Sequence, residues 1–370
     1  PITGSNGHNV AFYVGNGARN ITIKNVIVEN GAPATVNNVS LPMLRYIAQD
    51  NRFRYDADIV DFFNQQGQLI GTETYSAGIT MRSAREVMNG RTGANELPGE
   101  IVGGVITAGY DTLANRNNVI EGNEISGFGY GVLSMGLGVL RDQGAGRFRV
   151  YSNGENQIIN NRIYNVTRGG IFAGYEENST ISGNRIYNVN MNNRNHDAFG
   201  IQIGGLNKGG YFSYYTTNMK VSGNEISGVR SPIFSRGIVV EQFPIDRSEP
   251  GQPYVYPSNN HNNIVSSNIV WDVQASNGTA NVAGIHLLTK RRADGVTPER
   301  NDFYTSGDLL ANNTVIMDIT TSTTGYATAM GVQSGRGTRV MNNALSLTGS
   351  ANSPEVSSLL FIQGALVGTN

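Results

Sequence analysis

The stretch "NSTISGNRIYNV", residues 178–189, interrupts an apolar series with a bend signal. Ile181, Ile186 and Val189 are apolar, and Ser182-Gly183-Asn184 is wedged between the first two. Nearly the same arrangement returns at "NNVIEGNEISG", "NQIINNRIYNV" and "NMKVSGNEISG". With the asparagine as anchor, the pattern is an apolar residue three before it, a small residue just before it and an aliphatic two after it. It recurs at Asn123, Asn161, Asn184, Asn224, Asn268, Asn313 and Asn343. A degenerate eighth copy is read at Asn25 with Ile27, where Thr22 and Lys24 depart from the pattern.

Each copy is followed by a second signature, glycine then an aliphatic, at Gly78, Gly131, Gly170, Gly200, Gly237, Gly284 and Gly331. "SSLLFIQG" near Leu360 takes the equivalent place in the last copy. Each unit therefore holds three short segments of period-2 alternation, too short for helices and too regular for loops. The closest anchors, Asn161 and Asn184, are 23 residues apart, and the wider spacings of 38, 40, 44, 45 and 30 read as the same unit with insertions. Three strands and about 22 residues per turn describe a right-handed parallel β-helix, a solenoid whose strands stack at ~4.8 Å.

On these repeats the chain resembles the pectate-lyase-like superfamily of right-handed β-helices, in particular its generic bacterial parallel β-helix repeat proteins. The resemblance covers residues 20–364. It implies one all-β solenoid domain over 1–370, about eight coils of three strands, and it says little about function.

The bend explains the interruption. Asparagine tolerates the left-handed region, and a glycine or serine before it relieves steric conflict. Stacked copies also pass side-chain amide hydrogen bonds from coil to coil as an inward ladder. Ile125, Ile163, Ile186, Ile226, Val270, Val315 and Leu345 are expected to form one inward stack, and Ile79, Val132, Ile171, Ile201, Ile238, Ile285 and Val332 another.

Composition narrows the function classes. The 27 basic and 28 acidic side chains leave a net charge of -1, which gives no field to draw nucleic acid or an anionic membrane. Only 15% of residues are charged while glycine reaches 47, so the surface is polar without charge. Such a surface suits an extracellular or cell-surface protein, bacterial by its resemblance. Cysteine is absent, which excludes disulfides and thiolate metal sites. No apolar run approaches the roughly 18 residues of a membrane span. The four histidines, at 8, 196, 261 and 286, are too scattered for a histidine metal site.

Function on such a scaffold sits in insertions and on outward strand faces. Alternation puts Thr80, Leu133, Phe172, Gln202, Val239, His286 and Gln333 outward on the third strand, followed by Arg82, Met135, Glu241 and Leu288. The acid–base candidates are Glu241, His286, Lys290, Arg291 and Glu176, with "NHDAFG" adding His196 and Asp197. The clustered aspartates of pectin hydrolases are missing from these strands, as are the acidic calcium cluster and downstream arginine motif of pectate lyases. Long insertions carry Tyr211, Tyr214, Tyr215, Tyr254 and Tyr256, with Arg141 nearby, which could line a polysaccharide groove or anchor the loops on the wall.

The insertion over 40–77 holds Leu44, Ile47, Ile59, Phe62 and Phe63, read as a short amphipathic helix or two followed by a hairpin around Gln65–Gly67. Its "DADIVD" lacks the glycine and the ligand number of a calcium loop, so neither calcium nor any other cofactor is assigned. The chain begins at Pro1 with a third strand and stops soon after another. No capping helix is evident, so the expectation is a segment of a longer exported protein, ends that meet other subunits end to end, or insertions that fold back over the ends. The reading favours a non-catalytic scaffold for structure, adhesion or assembly. The alternative is a carbohydrate-active enzyme, lyase or hydrolase, with a Tyr/Arg/Lys-lined groove.

Overall fold

Backbone amides need partners, and a chain of short alternating segments finds them by pairing each segment with its counterpart one coil away. In a computed structural model of the chain, three long all-parallel sheets form in this way. The structure describes residues 10–15, 17–30, 77–82, 114–136, 151–191, 197–205, 216–242, 261–278, 280–289, 305–323, 325–333, 335–351 and 357–363. It also describes, as backbone strands, residues 35–36, 39–40, 45–46, 59–63, 69–74, 101–102, 105–106, 138–141 and 148–150.

The first sheet has eight strands, from Thr22–Lys24 to Arg339–Met341. The second runs from Ile27–Glu29 to Ala344–Ala351, and the third from Val10–Gly15 to Ser357–Gln363 with nine strands. The chain is a right-handed parallel β-helix. Among the described residues every regular element is a strand.

The second-strand stack is continuous. Ile125, Ile163, Ile186, Ile226, Val270, Val315 and Leu345 pair in register, all buried except Leu345, which is partly buried at the last coil. On the third sheet Ile79, Val132, Ile171, Ile201, Ile238 and Ile285 stack as expected from the repeats, but the next member is Met330, not Val332. Val332 pairs with Leu287, two residues further along. Gly331 carries the glycine signature in sequence, but Ala329 holds that place in the column. Gln333 moves with it and aligns with Leu288, leaving Gly331 opposite His286.

The glycine column follows from close approach. A Cβ on Gly170 would stand 2.5 Å from Ile186 Cγ2 and 2.6 Å from the Gly200 carbonyl oxygen, closer than packing allows. The inward aliphatic of one coil thus occupies the space where the preceding coil's glycine lacks a side chain.

The asparagines form an uninterrupted ladder. Asn184 Oδ1 accepts from the backbone N and from Nδ2 of Asn161, both at 3.0 Å. Its own Nδ2 donates to Asn224 Oδ1 at 2.9 Å and to the Ile158 carbonyl at 2.8 Å. The same geometry runs from Asn123 through Asn268 and Asn313 to Asn343. The left-handed residue is the one before each anchor, not the anchor: Gly122, Asn160, Gly183, Gly223, Ser267, Asn312 and Asn342 have positive φ. The two tasks are split, with one residue making the bend and the next closing the ladder.

In the first coil the register differs by one from the sequence reading. Ile23 pairs with Ile120 and Val28 with Ile125, so Asn25, at φ 56°, takes the bend and Val26 takes the ladder position. Val26 N donates to Asn123 Oδ1 at 3.1 Å, and the ladder stops there for want of a side-chain amide.

A second, shorter ladder lies five residues upstream. Asn118 N and Nδ2 donate to Asn156 Oδ1, and Asn156 N donates to Ser179 Oγ at 2.9 Å. Met219 interrupts it, and it resumes where Met219 N donates to Asn263 Oδ1 and Asn263 N to Asp308 Oδ1.

In the insertion, Ile59–Phe63 is a strand, not a helix. It pairs antiparallel with Leu69–Thr74, which Arg45–Tyr46 flanks on its other side. Five residues rich in β-branched and aromatic side chains make too short a helix to be stable and fit a pleated partner well. Leu44 and Ile47 lie outside the described residues.

Candidate functional site

The outer face of the third sheet divides into an apolar and a charged half. Tyr130, Leu133, Met135, Phe172, Phe199 and Val239 form a buried cluster outside the barrel wall. Its rings meet edge-on or tilted, Tyr130 with Phe172 at 6.2 Å and Phe172 with Phe199 at 6.4 Å. Such offset geometries suit the quadrupoles of the rings.

In the next coil the register sets Arg236 opposite Phe199, so a guanidinium continues an aromatic column. Arg236 is 4% exposed and ion-pairs with Asp197, with its Nη1 3.6 Å from Glu241 Oε2. Arg168 Nη2 reaches the other Asp197 oxygen at 3.1 Å. Gln202 Nε2 donates to Glu241 Oε2 at 3.2 Å. The Arg236 guanidinium also lies over the Phe234 ring at 4.6 Å. Phe234 in turn packs against Tyr326 and His286 at 5.3 and 5.6 Å. His286 Nε2 is 3.1 Å from Gln333 Oε1.

The electrostatics follow from that packing. Burial pushes the Asp197 carboxyl up, but Arg236 and Arg168 outweigh it and bring it to about 2. Burial also opposes the charge on Arg236, and Asp197 and Glu241 more than restore it. Burial drives the Tyr326 phenol upward, with Glu241 adding to the effect and Arg236 opposing it. The Asp197 carboxylate, locked to two guanidiniums, keeps its charge and holds no proton for transfer near neutral pH. Chemically this is a clamp between coils: Arg168, Asp197 and Arg236 come from three successive turns of the third sheet.

The other expected acid–base residues fall elsewhere. Glu176 lies inside the solenoid, 2% exposed, not on an outward face. It accepts from Asn156 Nδ2 at 2.7 Å and Ser179 Oγ at 2.6 Å, and it pairs with Ser134 Oγ. Burial raises its carboxyl above the ordinary range against the pull of those three donors. No external substrate reaches it, so its role as a candidate acid or base is corrected to that of an interior acceptor. Glu241 and His286 do stand on the outer face in adjacent coils, both buried. His196, Lys290, Arg291, Tyr211, Tyr214, Tyr215, Tyr254 and Tyr256 lie outside the described residues. Arg141 closes the strand Gly138–Arg141, described by its backbone. Buried His261 is held down to about 4 by desolvation. Among the described residues no group of three or more His, Cys, Asp and Glu could hold a metal ion.

Sequence reading missed one outer-face feature. "NRIYNV" occurs twice, at 161–166 and 184–189, and the two copies pair in register. Tyr164 and Tyr187 therefore stack, centroids 5.2 Å apart and planes within 5°. Arg162 Nε donates to the Tyr187 hydroxyl at 2.9 Å, and the Tyr164 hydroxyl donates to Glu124 at 2.7 Å. The identical hexapeptides were the available signal.

Among the described residues no helix is long and apolar enough to cross a membrane. No protein-family profile matches the chain. No curated protein matches it either. Among solved structures the chain is similar to the tailspike protein of E. coli bacteriophage HK620 in complex with a pentasaccharide, at 12% identity and a TM-score of 0.23. That match covers 67% of this chain and 47% of the tailspike, so the chain spans about half of that protein's length. The fold of this chain is a parallel β-helix.

Proposed function

We propose that the chain is a non-catalytic β-helical scaffold of the cell surface or extracellular space, serving structure, adhesion or assembly. The observation that carries this reading is the commitment of the three candidate carboxylates among the described residues. Asp197 and Glu241 are engaged by Arg168, Arg236 and Gln202, and Glu176 is spent inside the wall. Hydrolysis of a glycoside needs two carboxyl groups facing one substrate, one of them able to carry a proton. Elimination from a uronate needs a base that is free to take one. The uncharged polar surface supports a place outside the cell.

The test is direct. The chain is incubated with polygalacturonate, alginate and neutral glucans, and both unsaturated-product absorbance and new reducing ends are followed. The expected result is no product, with Glu241→Gln changing stability alone. Product formation that falls a hundredfold or more in Glu241→Gln, at unchanged folding, would overturn the scaffold in favour of the carbohydrate-active enzyme.

A further inference from the structure

The second sheet's outer face holds an ordered column just before its bend: Ser126, Tyr164, Tyr187, Ser227, Trp271 and Ile316. The register gives it directly, with Tyr164 on Tyr187 and Tyr187 on Ser227. Ile226 pairs with Val270, which sets Trp271 opposite Ser227, and Trp271 pairs with Ile316. In the stacked pair each tyrosine covers one face of the other. The second face of Tyr187 looks toward Ser227, a side chain too small to cover it. One coil further stands Trp271.

We propose that Tyr187, Ser227 and Trp271 form a slot that takes one pyranose ring of an oligosaccharide. Two strand spacings separate the aromatic positions, about 9.6 Å at ~4.8 Å per coil. A ring seated midway would lie ~4.8 Å from each, close to the 5.2 Å at which Tyr164 and Tyr187 already stack. The slot thus continues the native column with a guest in the place of the missing ring. Tyr187 offers a π-face to the C–H face of a sugar, with Trp271 in the next aromatic position. The rims of the slot offer charged partners for hydroxyls. On one side Arg185 and Glu225 pair at 3.4 Å, the Arg185 guanidinium 5.8 Å from the Tyr187 ring. On the other Arg230 Nη2 donates to Asp272 Oδ1 at 2.6 Å. A pyranose presents apolar C–H faces and a hydroxylated edge together, which matches the Tyr187 wall and the charged rims at once. Both rims pair a cation with an anion, so the slot selects on shape and hydroxyls, not on net charge.

This inference goes beyond the scaffold reading by naming a ligand class, and it does not require that reading. Trp271 is the single tryptophan of the chain, so its emission reports the slot without a label. The full chain is titrated with maltopentaose, cellopentaose, chitopentaose and oligogalacturonate. At least one is expected to shift or quench the emission saturably, and to protect Trp271 from acrylamide. Tyr187→Ala should weaken that binding about tenfold, the worth of one lost ring contact. Ser227→Tyr should extend the stack, fill the slot and abolish binding while the melting temperature holds or rises. If none of the four sugars moves the emission up to its solubility limit, or if Ser227→Tyr responds like the native chain, the slot is wrong. The scaffold reading fails separately, by product formation.

Discussion

At the scale of the residue, the ladder asparagine does what few side chains can. Asn184 makes four hydrogen bonds with one amide, two accepted and two donated, in a site closed to water. Asn184→Ala strands the Asn161 donors and the Ile158 carbonyl at once. The expected loss is about 3 kcal/mol or more, read from denaturant midpoints. Asn343→Ala should cost less, because Asn343 is only half-buried and water replaces its amide.

Two carboxyls then give opposite pH signatures. Asp197 is held at about 2, below the usual 3.8, so its stabilisation is complete above 3.8 and is lost as pH falls toward 2. Asp197→Asn should flatten that acid limb and cost about 2 kcal/mol or more at neutral pH by leaving two guanidiniums short of a carboxylate. Glu176 is shifted the other way. Its contribution is fullest below 4.5 and falls as pH rises through the raised value. Glu176→Gln should therefore be at least as stable as the native chain at neutral pH and should lose that decline. Unfolding midpoints across pH check both.

At the scale of the element, glycine and the β-branched residue one coil on form a matched pair. Gly284 has no room for a methyl beside Val315 Cγ1, and the Ala329 carbonyl oxygen lies 2.6 Å from where it would sit. Yet Ala329 occupies the same column one coil later, where the residue one coil on is Leu345, not branched at Cβ. The absence of a second Cγ on Leu345 explains why the methyl fits there. Gly284→Ala alone should cost about 1–3 kcal/mol. Val315→Leu should restore part of it, so a double-mutant cycle should give a coupling of about 0.5 kcal/mol or more.

The same pair shows what was legible in the sequence. The recurring anchor and the second-strand stack could be read because each coil solves the same local problem with the same residue types. The third-strand register differs at Gly331 because a glycine there resembles the signature, while the constraint that defines the column is a neighbour on the second strand of the next coil. In the first coil Asn25 drew the anchor to itself, although its positive φ marks it as the bend. The charged clamp was hidden for a similar reason. Asp197 stands out in sequence beside His196, but its partners Arg168 and Arg236 come from neighbouring turns that only stacking brings together. The second ladder gave a weaker signal, since Met219 breaks it.

At the scale of the whole molecule, both terminal coils carry open inward positions. In the first, Val14, Ile23 and Val28 are buried, but Phe12, in the Ile79 column, is 36% exposed. In the last, Leu360 is 40% and Ile362 64% exposed. Apolar surface of this kind invites a further layer. The long insertions that carry most of the expected tyrosines could not be read as structure, because their composition sets no period and no register.

The amide ladder makes the rod a one-way object. From amide to amide, every rung donates toward the C-terminal end and accepts from the N-terminal side, as a row of arrows would. Asn343 is the last arrowhead, and any coil laid on it must bring an acceptor. The first coil of this chain brings Val26, which has none. Copies stacked head to tail would bury unmatched amide donors at about 1–3 kcal/mol each, against whatever their apolar ends gain. Sedimentation at high concentration should accordingly find single rods, and the partner suited to that end is a β-helical coil with its own asparagine in line.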